Sequence, residues 1–167
     1  SAQQIRIDAS PIDGLKVGGD YIQYMNETVA DDQEKSGGNI YAQYATGNFK
    51  FGAFMGYTED ALSSFADGDG TSYDRQETES LGVEFAVNEN LSVSVSEETH
   101  SATDVGTIAI AASGKTKFTT DMKATIYQIA YNVGGATVGL FHNSTDNSDF
   151  SAGREEKKTA FIMSMEF

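Results

Sequence analysis

Residues 80–97 read SLGVEFAVNENLSVSVSE. Leu81, Val83, Phe85 and Val87 alternate with Ser80, Gly82, Glu84 and Ala86. After Asn88, Glu89 and Asn90 the alternation resumes, with Leu91, Val93 and Val95 against Ser92, Ser94 and Ser96. A period of two places the two sets on opposite faces of an extended chain. Two such runs joined by three turn-forming residues predict an antiparallel hairpin with one greasy face and one small or polar face.

The same unit recurs on both sides. QIRIDAS (4–10) and LKVGGDYIQYM (15–25) are joined through PIDG. NIYAQYA (39–45) and FKFGAFMGY (49–57) are joined by Thr46, Gly47 and Asn48. TIYQIAYNV (125–133) and ATVGLF (136–141) meet at Gly134 and Gly135, and KTAFIMSMEF (158–167) stands last. Helical periodicity is hard to find, so residues 1–167 read as one all-β domain of about nine strands.

Between the hairpins lie longer connections at 26–37, 59–79, 97–123 and 144–158, rich in Asp, Glu, Ser, Thr and Gly. They hold 19 of the 25 acidic residues and 8 of the 11 basic ones, so the runs between them are nearly neutral. A soluble sandwich scatters long and short connections over both ends, whereas an outer-membrane barrel has short turns at one end and long loops at the other. The strict alternation predicts an antiparallel transmembrane β-barrel. Tyr21, Tyr24, Tyr44, Tyr57, Tyr127 and Tyr131, near strand ends, suit a membrane interface.

Composition excludes other classes. The chain has no cysteine, which removes thiolate metal sites and thiol nucleophiles. A formal charge of −14 disfavours nucleic acid as a partner, because phosphate binding needs clustered Lys and Arg. No apolar stretch reaches the length of a membrane helix, but barrel strands alternate and average to a polar composition.

IRIDASPIDGLKVGGDYIQY, the repeated strand, short turn, strand and acidic loop, and the closing FIMSMEF together resemble the C-terminal part of Gram-negative outer-membrane porins. The resemblance implies location in the outer membrane and passive diffusion of small hydrophilic solutes. It also implies a homotrimer, and contact with outer-membrane lipid and lipopolysaccharide. Phe161, Met163, Met165 and Phe167 match the family's assembly signal, which implies the barrel-assembly machinery as a partner. Porins have about sixteen strands, more than this chain supplies. Two arrangements stay open: a part of a larger porin barrel, or a complete eight-stranded barrel from residues 15–167. The first is preferred because IRIDASPIDGLKV reads as a continuous strand and turn.

If the apolar face meets lipid, the other lines a water-filled lumen. Arg6, Asp8, Lys16, Asp20, Lys50, Glu84, Glu98 and Lys158 then project into it, and the acidic excess predicts mild cation preference. Gly18, Gly52, Gly56, Gly82, Ala86, Ser92, Ser94 and Ala130 on that side favour an open channel over a plugged binding or envelope-anchoring barrel.

No metal or cofactor is expected. Asp67, Asp69 and Asp74 are weak loop candidates for calcium, but an EF-hand counted from Asp67 would place Ser72 and Thr78 where Gly and Glu are required. No enzyme is expected either: His100, His142, Glu98, Ser101 and Ser144 gather near strand ends, but no GxSxG elbow exists.

Overall fold

The computed structural model describes residues 2–24, 35–59, 73–104, 116–117 and 120–165. They form one antiparallel sheet built from β1 (Ala2–Ile12), β2 (Leu15–Tyr24), β3 (Lys35–Thr46), β4 (Phe49–Glu59), β5 (Tyr73–Ala86), β6 (Leu91–Asp104), β7 (Thr116–Lys117), β8 (Met122–Val133), β9 (Ala136–Asp146) and β10 (Glu155–Met165). Nine strands follow one another as a meander, and the two-residue β7 attaches to the far end of β6. Among the described residues the sheet does not close. β2 lies between β1 and β3, so the edge that an eight-stranded closure would offer to β10 is occupied by β1.

The tight turns fall at one end. Gly134 and Gly135 both have positive φ, 55° and 84°, as a two-residue hairpin turn of right-handed twist requires. At the β5–β6 turn the Asn88 carbonyl Oδ1 instead accepts from the backbone N–H of Asn90 and Leu91, at 2.9 and 3.0 Å.

Several strands outrun their apolar alternation. β5 begins at Tyr73 and β6 runs to Asp104, so much of the expected 59–79 and 97–123 connections is paired backbone. The ladder needs only N–H and C=O groups, and these ends keep it while their side chains turn polar. The 144–158 connection shrinks likewise, to residues between Asp146 and Glu155, with a single 3-10 turn at Ser148–Phe150. Here the chain folds over the sheet: Phe150 packs with Ala102 and Met122.

The sheet encloses almost nothing. Among the described residues the buried apolar side chains are Ala102, Ala124 and Phe150, while Ile5, Ile7, Ile40, Leu81 and Phe161 are each more than 60% exposed.

Candidate functional site: two faces of one sheet

Register fixes which residues share a face, because directly opposed residues on neighbouring strands point the same way. Phe49, Phe85, Val93, Ile129, Leu140 and Phe161 form one continuous rung across six strands. Above it, toward the long connections, runs Leu15, Tyr44, Phe51, Val83, Val95 and Tyr127, and below it Leu91, Tyr131, Val138 and Met163. Of the large hydrophobics exposed within strands, all but Phe54 and Ile162 lie on this face.

The apolar stripe runs obliquely to the rungs. Its upper limit is Ile5, Tyr21 and Tyr57 on one rung, beyond which come Gln3, Gln23 and Glu59. On β5 the limit drops to Leu81 below Glu79, on β6 to Val95 below Glu97, and on β10 to Phe161 below Thr159. The lower limit descends in the same sense, from Leu15 on the Tyr127 rung to Met165 on the Val133 rung.

Above the stripe stands a charged rim of Glu59, Glu77, Glu79, Glu97, Asp146 and Glu155 with Arg75, Lys123 and Lys157. The Arg75 guanidinium sits 4.2 Å over the Tyr57 ring, and its Nε is 3.0 Å from Glu77 Oε1 without hydrogen-bond alignment.

The opposite face carries all eight charged residues singled out above: Arg6, Asp8, Lys16, Asp20, Lys50, Glu84, Glu98 and Lys158. Most are paired. Arg6 Nε donates to Asp8 Oδ2 at 2.7 Å, and the Tyr41 hydroxyl donates to Asp8 Oδ1 at 2.6 Å. Asn39 Nδ2 donates to Asp20 Oδ1 at 2.8 Å, and Lys50 Nζ to Glu84 Oε2 at 3.0 Å. Lys158 lies 3.0 Å from Glu156, which also accepts from Ser148 Oγ at 3.2 Å. With Glu156 added, the side chains described on this face comprise four cations and five carboxylates, close to charge balance. Gly18, Gly52, Gly56, Gly82, Ala86, Ser92, Ser94 and Ala130 stand among these charges.

The groups weighed for catalysis are divided between faces. Thr78 Oγ1 is 3.0 Å from His100 Nδ1, and Glu98 Oε2 is 3.5 Å from Nε2, on the polar face. Ser101 and Ser144 stand on the apolar side, where Ser101 donates to Asp121 Oδ1 at 2.9 Å and His142 Nδ1 meets Thr159 Oγ1 at 2.8 Å. Thr78 and His100 lie on interior strands, whose amides are committed to the ladder rather than available to an oxyanion.

Phe161, Met163 and Met165 share the apolar face, and Phe167 lies outside the described residues. So do Asp67 and Asp69, while Asp74 falls within β5. Tyr41 was not singled out by the sequence, since NIYAQYA shows two tyrosines of opposite parity and only register tells which one meets Asp8. No family model, curated protein or solved structure matches the chain.

Proposed function

We propose that this chain forms the wall of an outer-membrane β-barrel of the porin kind, in which small hydrophilic solutes and ions diffuse passively through a water-filled channel. The observation that carries this reading is the oblique apolar stripe on a sheet with almost no core among its described residues. Burying a large apolar side chain is worth ~1.5–3 kcal/mol, so leaving a score of them in water forgoes tens of kcal/mol. Net protein stability is only ~5–15 kcal/mol, so something must cover this face. Lipid does so without a second protein layer, and tilted strands in a level bilayer carry an apolar band that slants across their rungs.

The opposite face then lines the lumen. Its balanced charges keep the wall wet with little selectivity, and cation preference arises at the acidic mouth, where local cation concentration is raised. The rim above the stripe lies at headgroup level, in position to meet lipopolysaccharide through bridging divalent ions. By resemblance, the remaining strands complete a larger barrel that assembles as a homotrimer through the barrel-assembly machinery.

Planar-bilayer recording tests the proposal. Stepwise conductance, with a reversal potential of cationic sign under a salt gradient, is expected. A protein that stays monomeric in detergent-free buffer and conducts nothing in bilayers overturns it.

A further inference from the structure

The polar face carries Tyr24 and Phe141 apart from each other, and at one place two aromatic rings side by side. Tyr41 on β3 and Phe54 on β4 are directly opposed, and each lies across a glycine. A Cβ on Gly56 would come within 2.9 Å of Phe54 Cζ and 3.1 Å of its Cε1, and a Cβ on Gly18 within 2.7 Å of Tyr41 Cε1. Both rings therefore lie down on the sheet over the backbone, and the room for them exists because those two positions have no side chain. The Tyr41 hydroxyl, held by Asp8, which Arg6 holds in turn, fixes its ring in that pose.

Beside the rings, β4–β6 present glycines and serines. Gly52, Gly82, Ser80, Ser94 and Ser96 floor a concavity of about 620 Å³ that Gln43 and the two rings help to line. This volume falls in the ~300–1,000 Å³ range of small-ligand sites. The three serine hydroxyls make no side-chain hydrogen bond among the described residues. The nearest charges, Lys50 and Glu84, neutralise each other at 3.0 Å, and Lys16 stands at the margin.

We infer that this concavity is a binding subsite for a neutral saccharide. A pyranose has a C–H face that lies on an aromatic ring and a hydroxyl edge that hydrogen-bonds to serine and amide groups. A simple ion would leave the rings unused, and a purely aryl solute would leave the hydroxyls unused. The inference rests on the channel reading only in taking this face as wet.

Saturation-transfer NMR with maltose, on the full chain refolded in detergent micelles, tests it. Transfer to the sugar C–H protons is expected, with Phe54→Leu weakening the affinity by roughly 2–10-fold, the worth of one ring contact. Gly56→Ala is expected to weaken binding with Phe54 intact, because the methyl lifts the ring. Phe49→Leu, on the same strand but the opposite face and outside the concavity, leaves it unchanged. Circular dichroism and gel mobility before heating confirm that each variant is folded. Equal maltose affinity in folded wild type and Phe54→Leu overturns the subsite, as does binding of benzoate in preference to maltose. Conductance without maltose transfer overturns the subsite and leaves the channel standing; transfer without conductance supports the subsite and counts against the channel.

Discussion

Tyr57 and Phe161 both mark the upper limit of the apolar stripe, yet the rung of Phe161 reaches β4 at Phe49, eight residues from Tyr57. The limit on β1, at Ile5, shares the rung of Tyr57, so those eight residues accumulate over the eight pairings from β1 to β10. One residue of ~3.3 Å per strand spacing of ~4.8 Å corresponds to a strand tilt of about 35° if the stripe lies level. Polarised infrared spectroscopy on oriented bilayers is expected to return a mean tilt of about 35–45°. Strands lying in the membrane plane, or lacking any preferred orientation, would contradict it.

The stripe also sets where a charge is tolerated. Val93 lies midway between Leu91 and Val95 on the apolar face of β6, and Ser92 is its neighbour on the other. Val93→Arg is expected to cost ~2–4 kcal/mol in lipid, since the guanidinium meets hydrocarbon, whereas Ser92→Arg costs less than ~1 kcal/mol. Urea unfolding from lipid vesicles measures both. Equal costs would mean that neither face meets lipid.

Lys50 and Glu84 form an ion pair on the polar face with half-exposed side chains. A double-mutant cycle is expected to give a coupling below ~1 kcal/mol, as for other solvated pairs. Their effect on permeation should be larger in kind, because each neutralisation leaves an uncompensated charge on the wall. Lys50→Gln shifts the reversal potential toward cations and Glu84→Gln toward anions, and the double variant returns near the wild type. No shift in either single variant would place the pair away from the ion path.

Which residues share a face was legible in the sequence, because a period of two and tight turns carry parity from one strand to the next. That is why Arg6, Asp8, Lys16, Asp20, Lys50, Glu84, Glu98 and Lys158 group on one face from the sequence alone. Strand ends were not legible: the Glu77–Glu79 stretch of β5 and the Glu97–Thr103 stretch of β6 lack apolar alternation, and only their partners reveal that they are paired. Nor were rungs legible, since the opposition of Tyr41 and Phe54 depends on register. The inward fold of Phe150 has no local signature either, because an aromatic residue is a poor choice for a left-handed backbone.

That left-handed turn makes a prediction with an unusual order. Asn147, Asp149 and Phe150 have φ of 55°, 55° and 56°, and the turn is closed by Gly153 N–H donating to Asn147 Oδ1 at 2.9 Å and by Arg154 pairing with Asp149 at 2.7 Å. Phe150 holds its conformation because its ring packs with Ala102 and Met122. Phe150→Ala removes that packing and keeps the backbone penalty, and it is expected to lower the free energy of opening of residues 147–154 by ~1.5–3 kcal/mol. Phe150→Gly loses the same ring but relieves a left-handed cost of ~1 kcal/mol, so it should be less damaging than alanine, contrary to the usual ranking in a strand or helix. Hydrogen exchange at the Ser148 and Ser151 amides, which donate to Arg154 O and Ser148 O, reads both variants. Exchange faster in the glycine variant than in the alanine variant would show that the left-handed backbone at Phe150 carries no such cost.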